Sequence, residues 1–482
     1  MIDRFCLKTI QDTSPNIVAV RFYAANSVSE YTYHDLAVML EDYIKLISKI
    51  VEDKATIIIM YPRSVQMLAM MLACLCKHMP FLYIDPSMPQ HRISRIIEET
   101  KASYIFSEKP INEENLILKA ENTCQFVYAN RMKKPLGFCA AAYLLYTSGT
   151  TGAAKCVAVS RHNLLWFDTN IGCHVGFFFH KSVLASSNSA FDISILESII
   201  PLVHAQTVHL LSNECCKNPK KIIRILQENK IDIVQFTPSH LRFLSMYSKQ
   251  DFSFLNHVKL LLIGGEMFPA ELFCSITKGT AAVIYNMYGP SETTIWCSCK
   301  KIINKEKISI GRPLIGCEFS IHDSNGNSVK DGQSGELWIR GEQNALGYLD
   351  PAVTEKYFVL IDNERYYKTG DIVRRETDGE YYILGRKDNQ IKYKGHRIEL
   401  DEICEQILHI EDVLYCFVKN EEKYLCCYYY SRTDIHPSVF IRALKKVLPQ
   451  YMIPTKYQKL EKVHFSSNGK LLQNANFEEA MK

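Results

Sequence analysis

Residues 143–155 read Tyr-Leu-Leu-Tyr-Thr-Ser-Gly-Thr-Thr-Gly-Ala-Ala-Lys, a short apolar strand that runs into a loop rich in glycine and hydroxyl groups. Gly149 and Gly152 allow the backbone to turn sharply. Four hydroxyl groups belong to this loop, on Thr147, Ser148, Thr150 and Thr151. With free backbone N–H groups and the charge of Lys155, they suit a polyanion such as a phosphate chain. Composition alone leaves one alternative, a Ser/Thr-rich hairpin turn.

The residues around the lysine exclude a Walker A loop. That loop needs Gly-Lys-Ser/Thr, whereas here Ala154 precedes Lys155 and Cys156 follows it. The sequence therefore predicts a phosphate-binding loop of another type.

Strand-like and helix-like segments alternate on both sides of this loop. Short buried strands are predicted at Ala55–Met60, Phe81–Ile84, Ser103–Phe106, Ile231–Phe236, Val258–Ile263 and Ala282–Tyr285. Helices are predicted at Arg63–Lys77 and His91–Glu99. This alternation predicts an α/β protein with parallel sheets covered by helices.

The pattern changes near Phe319. Short alternating strands at Phe319–His322, Glu336–Arg340 and Glu380–Leu384 are separated by Asp-Gly and Asn-Gly turns, which favours a small antiparallel unit. The last hundred or so residues hold both helix and strand patterns, and a helix is predicted over Pro437–Leu448. We predict a large N-terminal domain, 1–386, with a β-rich subdomain from about 319, and a small mobile α+β domain, 387–482.

Composition narrows the class of protein. The chain has 482 residues, a net charge of +4 and 17 scattered cysteines without the CxxC…CxxC spacing of a zinc site. The small charge calls for neither nucleic acid nor an anionic membrane. The longest apolar run, Met67–Cys76, is about half a membrane span and favours a buried helix. We expect a cytoplasmic protein with reduced thiols.

The loop resembles the signature Tyr-Thr-Ser-Gly-Thr-Thr-Gly-x-x-Lys of the adenylate-forming (ANL) superfamily, which includes nonribosomal peptide synthetase adenylation domains, acyl-CoA synthetases and luciferases. Further motifs resemble those of the family and keep their order: Tyr31–Leu36; Tyr83–Pro86 with Pro89 and Arg92; Phe191–Ser194; Asn286–Glu292; Gly335–Leu337 through Gly347–Leu349; Tyr367–Asp371; Gly385–Lys392; Leu448–Pro454; and Asn468–Lys470. The departures are Ala154 and Cys156 for proline and glycine, Ser291 for threonine, and Leu346 at a common arginine position. The changes at Ala154 and Cys156 remove no phosphate ligand.

The resemblance implies a site for ATP and Mg²⁺. Glu292 is expected to hold Mg²⁺ and Tyr288 to face the adenine. Asp371 is expected to accept the ribose hydroxyls, and Arg386 to reach the ribose and phosphate side. The remaining positions implied at the ATP site are the loop residues Thr147, Ser148, Gly149, Thr150, Thr151, Gly152 and Lys155, together with Gly265, Glu266, Asn286, Met287, Gly289 and Ser291. Composition alone leaves a plain structural alternative for the four named side chains. Glu292 would be a loop charge, Tyr288 a core tyrosine, Asp371 a turn cap and Arg386 a surface arginine.

Two further residues are expected to act through the small domain. Lys470 follows Asn-Gly and occupies the position of the family's catalytic lysine. A cation there would bridge the substrate carboxylate and the α-phosphate and stabilise charge in the transition state. Asp388 occupies the hinge position, where few backbone angles absorb a domain rotation.

The substrate is expected to be an amino acid. In amino-acid-activating members the aspartate at Asp192 pairs with the α-ammonium, although a helix cap near Ser194 is the structural alternative. The resemblance places the amino-acid pocket on Asp192, Ile193, Leu196, Gln235, Leu262, Gly264, Met287, Ile295 and Trp296, with Lys470. This string resembles the family's glycine type. Its bulky members would fill the space that a side chain needs.

The resemblance therefore implies an AMP-forming ligase that makes glycyl-AMP. The glycyl group would then pass to the phosphopantetheine thiol of a carrier protein. Because twelve residues follow Lys470, we expect the carrier in trans. Two alternatives stay open. The first is an acyl- or aryl-CoA synthetase, which Asp192 disfavours. The second is a non-catalytic nucleotide-binding relic, which intact Glu292, Asp371 and Lys470 disfavour.

Overall fold

The computed structural model of the chain describes residues 5–52, 55–111, 113–122, 125–133, 138, 140–147, 155–248, 251–304, 308–387, 390–394, 396–421, 424–431 and 433–460. The described residues form two compact units. The second consists of Met88–Ile93 and the described residues from 390 onward, and the first holds the others.

The largest sheet of the first unit has nine strands within the described residues. In spatial order they are Arg312–Pro313, Ser298–Ile302, Val283–Tyr288, Leu260–Gly264, Ile233–Phe236, Ser182–Ala185, Thr207–Leu211, Val18–Tyr23 and Val28–Thr32. The six strands from Val283–Tyr288 to Val18–Tyr23 pair in parallel, and antiparallel strands flank them on both sides. The parallel strands read as continuous apolar runs because both faces of this sheet are buried.

A second sheet of the same unit carries the two ends of the glycine-rich loop. Its eight described strands are Gly347–Tyr348, Lys155–Ser160, Ala141–Thr147, Phe81–Tyr83, Ile57–Met60, Tyr104–Ser107, Gln125–Asn130 and Leu116–Asn122. Ala141–Thr147 pairs in parallel with Phe81–Tyr83 and antiparallel with Lys155–Ser160.

Helices cover these two sheets. The helices of the first unit are Leu7–Gln11, Tyr33–Ile50, Val65–Cys76, Arg161–Val175, Ile200–Leu202, Asn213–Cys216, Pro219–Glu228, Pro238–Tyr247, Ala270–Ile276 and Pro351–Tyr357, with a π-helical turn at Ile195–Ile199. The helix Gln90–Thr100 begins in the second unit, which includes Met88–Ile93, and continues from Ser94 in the first. Local sequence sets their ends: Ser64 Oγ accepts from Met67 N at the start of Val65–Cys76, and Gly176, at φ 70°, ends Arg161–Val175. In the helix Val65–Cys76, almost all residues from Val65 to Leu75 are buried, as the apolar run predicts.

A small antiparallel sheet follows in the chain. Its strands are Cys317–His322, Ser334–Gly341, Glu364–Arg375 and Phe358–Ile361, with Tyr381–Arg386 paired to Glu364–Arg375. The antiparallel pairing of these strands agrees with the change of sequence pattern predicted near Phe319. Asp362 and Asn363 both have positive φ in the two-residue turn that joins two of these strands, a conformation that Asp and Asn tolerate.

The second unit has its own core. It contains the helices Leu400–Leu408 and Pro437–Leu444, the hairpin Gln390–Tyr393 with His396–Glu399, and a sheet of Val413–Glu421, Tyr424–Ser431 and Lys456–Lys459. Ile403, Ile407 and Phe440 are fully buried within it. The helix predicted over Pro437–Leu448 ends at Leu444, four residues early, and Leu448 precedes Pro449, which disfavours helical backbone there.

The predicted α/β class is confirmed, with mixed rather than purely parallel sheets. Within the described part of the chain, no helix combines the length and the apolar character that a membrane crossing requires. The predicted domain boundaries stay a prediction.

Candidate active site

The two ends of the glycine-rich loop lie side by side. Thr147 ends one strand and pairs with Lys155, which begins the next. Ser148, Gly149, Thr150, Thr151 and Gly152 lie outside the described residues. Lys155 is 7% exposed, so most of its side chain is buried.

Lys155 packs over two tyrosine rings. Its Nζ lies 4.0 Å from the ring centroid of Tyr357 and 5.8 Å from that of Tyr348. Tyr348 is brought here because Gly347–Tyr348 pairs with the strand that Lys155 begins. An aromatic face stabilises a desolvated cation by roughly 0.5–2 kcal/mol. The side chain of Lys155 therefore has a defined position at the foot of the loop.

Tyr348 also binds the carboxylate of Glu292. The tyrosine hydroxyl donates to Glu292 Oε1 at 2.7 Å, and Glu292 is fully buried. Glu292 sits in a 3₁₀-helical turn, Ser291–Thr293, and its carbonyl accepts from Ala345 N. Tyr348 thus links the expected phosphate-binding lysine to the expected metal-binding glutamate. The sequence placed Tyr348 in a motif but gave it no role.

A single carboxylate fits a magnesium ion of the expected kind. Mg²⁺ is usually held by one or two carboxylates and by substrate phosphates. Among the described residues, no group of three or more His, Cys, Asp or Glu side chains is placed to hold a metal by itself. Glu292 is therefore suited to a metal that arrives with the phosphates rather than to a resident metal.

A second polar cluster forms around Asp371. Tyr288 Oη donates to Asp371 Oδ2 at 2.6 Å, and Arg386 Nη1 donates to Asp371 Oδ1 at 2.7 Å. Asp371 and Arg386 face each other across neighbouring strands. Burial and the Asp371 carboxylate raise the pKa of Tyr288 well above its usual value, so the phenol stays protonated and donates. Adjacent carboxylate, phenol and guanidinium groups suit a ligand with hydroxyl groups and negative charge.

The backbone beside Asp371 is also fixed. Glu336 Oε1 accepts from Gly370 N at 3.1 Å, and Lys387 N donates to Gly370 O at 2.8 Å. Lys387 Nζ lies 3.1 Å from Glu336 Oε2. The Thr369-Gly370-Asp371 turn is therefore held on both sides, which orients the Asp371 side chain.

The other expected ATP-site residues have structural partners. Asn286 Nδ2 donates to Ser309 O at 2.7 Å, and Glu266 Oε2 accepts from Ser239 N at 2.9 Å. Gly265 has φ +82°, and a Cβ on Gly289 would lie 2.5 Å from Ile295 O, so each position favours glycine. Ser291 begins the turn that carries Glu292.

Four of the residues expected at the amino-acid pocket lie on one face of the nine-stranded sheet. Gln235 is in register with Leu262, and Gly264 with Met287. Side chains at matching positions of parallel strands point the same way. A Cβ on Gly264 would lie 2.7 Å from Met287 O and 2.7 Å from the Trp296 ring. Gly264, at the end of its strand, therefore packs tightly against Met287 and Trp296. Trp296 is 1% exposed.

The segment before Trp296 has unusual backbone. Thr294 has φ 58° and Ile295 φ 66°, although both are β-branched and Ile295 is 1% exposed. Such residues rarely adopt positive φ, and strained positions of this kind concentrate at functional sites. The strain turns the chain so that Ile295 and Trp296 both point inward.

Asp192 is buried at 6% exposure, and its Oδ1 accepts from Ile193 N at 2.9 Å. The π-helical turn that follows has Ser194 at its N-cap, without a cap hydrogen bond to the side chain of that serine, and Asp192 O accepts from Ile195 N at 2.9 Å. Leu196 lies in this turn and is 1% exposed. π-helical turns are rare and often mark functional sites. Asp388 and Lys470 lie outside the described residues.

Comparisons with known proteins give one consistent result. Residues 7–349 match the family described as AMP-binding enzyme. Bacitracin synthase 3 of Bacillus licheniformis is 31% identical over 487 residues, which cover 95% of this chain and 7% of that protein. Dapdiamide synthesis protein DdaD of Enterobacter agglomerans is 31% identical over 411 residues, which cover 81% of this chain and 68% of that protein.

A solved structure adds the fold. The holo form of a four-domain nonribosomal peptide synthetase, bound to AMP and glycine, matches with a TM-score of 0.69 and 25% identity over 97% of this chain and 35% of that chain. The chain spans between 7% and 19% of the lengths of the first curated relatives that it matches. These matches confirm the resemblance that the order of motifs predicts. The glycine-type pocket stays a prediction.

Proposed function

The chain belongs to the family of AMP-binding enzymes, and we propose that it activates glycine with ATP to form glycyl-AMP and pyrophosphate. The observation that carries the glycine assignment is the tight packing at Gly264. Met287 O and the Trp296 ring both lie 2.7 Å from where a Cβ on Gly264 would be. We infer that the tight packing at this position extends to the space that a substrate side chain would need. A larger amino acid would overpack this site at about 1–3 kcal/mol.

Asp192 supplies the charge that an amino acid needs. A buried carboxylate is costly unless a cation or donors compensate it. The α-ammonium of glycine is a suitable partner for the 6%-exposed Asp192. A fatty or aryl acid has no such cation, which is why we prefer an amino acid to those substrates.

We assign ATP to the two polar clusters. Asp371 accepts the ribose hydroxyls, with Arg386 and Tyr288 fixing its carboxylate, and Lys155 with the adjoining loop binds the β- and γ-phosphates. Glu292 holds Mg²⁺, which would screen the charge of the phosphates when bound. The contacts of Asp371 and of Glu292 with tyrosine hydroxyls support these assignments because they fix each carboxylate in one orientation.

The reaction joins two anions. A carboxylate oxygen of glycine attacks the α-phosphorus of ATP, and the bond from that phosphorus to the pyrophosphate oxygen breaks. Lys470 lowers the repulsion by bridging the carboxylate and the α-phosphate. The glycyl group then passes to the phosphopantetheine thiol of a carrier protein, with AMP as the leaving group.

Amino-acid-dependent ATP–pyrophosphate exchange over all twenty amino acids tests this proposal. We expect the highest rate with glycine and a distant second with alanine, because one extra methyl group is worth only about 1–3 kcal/mol. Trp296→Ala should raise the rate with alanine or serine relative to glycine. Preference for phenylalanine or leucine would rule out the pocket assignment. If exchange occurs only with carboxylic acids that lack an amino group, the substrate is an acyl or aryl acid and not an amino acid.

A matched pair of variants tests the ammonium partner. Asp192→Asn keeps the shape of the side chain but removes its charge, so the KM for glycine should rise by about 10- to 100-fold. Asp323 is an exposed turn aspartate, and Asp323→Asn serves as the control with unchanged KM. Equal KM values for both variants would remove Asp192 from the assignment.

A further inference from the structure

Gln235 carries a buried polar atom that the fold leaves without a partner. The residue is 2% exposed, and within the described part of the chain its Nε2 has no hydrogen-bond partner. Gln235 shares its face of the sheet with the amino-acid pocket residue Leu262. Buried amides are nearly always fully bonded. One end of this amide is therefore available to a ligand in the pocket.

The hydroxyl of Ser187 decides which end that is. Ser187 Oγ lies 2.6 Å from Glu197 Oε1 and 3.3 Å from Gln235 Oε1. A hydroxyl has one hydrogen to donate. The short contact to a carboxylate is the stronger of the two, so the hydrogen goes to Glu197.

Glu197 is held for this purpose by the backbone. It is 1% exposed, and its Oε2 accepts from Ser186 N and from Ser187 N, both at 2.8 Å. Neither backbone N–H can accept a hydrogen bond, so the carboxylate can only act as an acceptor toward them. This leaves Oε1 as the acceptor for the Ser187 hydroxyl.

Arg63 also binds the segment that contains Ser187 and Ser189. It is 4% exposed, and its Nη1 donates to Ser187 O and, at 3.2 Å, to Ser189 Oγ. The positive charge of Arg63 compensates the buried negative charge of Glu197. Asp192 lies three residues after Ser189, so the segment that this buried pair fixes leads directly into the amino-acid pocket.

The orientation of the Gln235 amide follows. Because the Ser187 hydrogen is used by Glu197, a lone pair of Ser187 Oγ faces Gln235, and a lone pair needs a donor. Rotation by half a turn about the last side-chain bond places Nε2 toward Ser187 and Oε1 toward the pocket. The lone pair of Ser187 Oγ then has a donor in Gln235 Nε2, and Gln235 Oε1 offers the pocket a hydrogen-bond acceptor.

We propose that Glu197 and Ser187 are positioning residues that hold the Gln235 amide with its carbonyl toward the pocket, where it accepts a hydrogen bond from the ammonium group of the amino acid. This inference rests on the proposed function, because it names a second acceptor for the substrate of that site. In this proposal Glu197 and Ser187 act on the substrate through Gln235.

Glu197→Gln tests the proposal by reversing one hydrogen bond. The new side chain keeps an oxygen for the two backbone N–H groups and places an NH₂ group where Oε1 stood. That group donates to Ser187 Oγ, which frees the hydroxyl hydrogen for Gln235 Oε1, so Gln235 turns its NH₂ group toward the pocket. We expect the KM for the preferred amino acid to rise by about 10- to 100-fold, with the KM for ATP changed by no more than about twofold.

Gln235→Glu in the Glu197→Gln background provides the rescue. The glutamate accepts from Ser187 with one oxygen and presents the other to the pocket, so the low KM should return. Gln235→Glu alone directs an oxygen at the Ser187 lone pair and should raise the KM. We therefore expect the double variant to have a lower KM for the amino acid than either single variant. A general loss of packing would not produce this result.

Ser187→Ala and Ser187→Thr give a second measurement that does not alter the buried charge. Alanine releases the amide and should raise the amino-acid KM, whereas threonine keeps the hydroxyl and should not. The proposal is overturned if Glu197→Gln leaves the amino-acid KM unchanged, if the double variant is worse than Glu197→Gln, or if Ser187→Ala and Ser187→Thr behave alike. If none of the twenty amino acids supports pyrophosphate exchange by the wild-type chain, the proposed function fails instead.

Discussion

Asp371 accepts a hydrogen bond on each carboxylate oxygen, from Tyr288 and from Arg386. Its remaining lone pairs are aimed by these two bonds, and we have assigned them to the ribose. Asp371→Asn should raise the KM for ATP by about 10- to 100-fold, because the amide NH₂ group would face one of these two donors. The KM for the amino acid should change little. Initial-rate exchange with each substrate varied separately measures both values.

Tyr288→Phe is the matched control for that variant. It removes the hydrogen bond to Asp371 but keeps the carboxylate, its charge and the pairing with Arg386. We expect a smaller rise in the KM for ATP, about threefold to tenfold. A larger effect from Tyr288→Phe than from Asp371→Asn would contradict the assignment of Asp371 as the ribose acceptor.

The protonation of Glu197 gives a second prediction at the scale of one residue. Burial raises the pKa of Glu197 to about 7, against the lowering effects of its Ser187 hydrogen bonds and of Arg63. A protonated Glu197 would donate to Ser187 Oγ and turn the Gln235 amide, as Glu197→Gln does. The KM for the amino acid should therefore rise as the pH falls from about 8 to about 6, by about tenfold.

Burial raises the pKa of the neighbouring Cys216, so it stays a thiol over this range. In Glu197→Gln the KM should be high at every pH. A wild-type KM that is flat from about pH 8 to about pH 6, or an equal rise in Glu197→Gln, contradicts this account.

Residue types at the site are predictable from the sequence, whereas their partners are not. Tyr288, Asp371 and Arg386 are each expected from a short motif, and the structure brings them together although Tyr288 and Asp371 are 83 residues apart. The contact of Tyr348 with Glu292 depends on strand pairing that no local pattern specifies. Glu197 did leave a signal, because it is a lone carboxylate in an apolar stretch, Ile193–Leu202.

Strands and helices were predictable at the scale of the element because their apolar runs are long and clear. Ala282–Tyr285 was predicted as a strand, and the strand runs over Val283–Tyr288. The motif from Asn286 was expected only to bind ligands, yet its first residues continue the strand because Ser298–Ile302 pairs with them. The π-helical turn could not be predicted, because its extra residue depends on packing rather than on local preference.

The strand that ends at Gly264 gives a prediction about the pocket wall. Gly264→Ala would place a methyl group 2.7 Å from Met287 O and from the Trp296 ring, and backbone cannot move away as a flexible side chain can. We expect the exchange rate with glycine to fall by at least about tenfold while ATP binding survives, with a loss of about 1–3 kcal/mol of folding stability. Exchange kinetics and thermal unfolding measure the two effects.

Gly332→Ala separates the pocket effect from backbone strain. Gly332 has φ +85°, and nothing lies within 4 Å of where its Cβ would be, so alanine there adds strain without filling a pocket. It should lower the unfolding temperature and leave the KM for glycine unchanged. Equal kinetic effects from both glycine variants would mean that Gly264 acts only through stability.

At the scale of the whole molecule, each of the two compact units has its own hydrophobic core. The described residues of the proposed ATP and amino-acid sites all belong to the first unit. The alternation of strands and helices predicted its α/β class, and the change near Phe319 predicted the antiparallel sheet. The mixed pairing at the edges of the large sheet was not predicted, because sequence patterns do not state which strands become neighbours.

The proposed roles of Lys470 and Asp388 separate the two half-reactions. Lys470 is assigned to adenylation, where it bridges two anions, and it has no role once glycyl-AMP exists. Asp388 is assigned as the hinge whose backbone must change before transfer to the thiol. Proline at that position fixes φ and removes an N–H group, which should impede the change. Adenylation should therefore depend on Lys470, and transfer on Asp388.

Lys470→Ala should lower pyrophosphate exchange by about 10²–10³, or roughly 2.7–4 kcal/mol, because it removes a cation that stabilises charge in the transition state. It should still transfer glycine from pre-made glycyl-AMP to a thiol acceptor. Asp388→Pro should do the reverse, with exchange kept and transfer lost, and Asp388→Ala is its control because alanine leaves φ free. Both half-reactions are measured on each variant. Near-normal exchange by Lys470→Ala, or equal losses in both half-reactions for Asp388→Pro, would contradict the division of roles, since a lysine needed only for charge and a hinge needed only for rearrangement must fail at different steps.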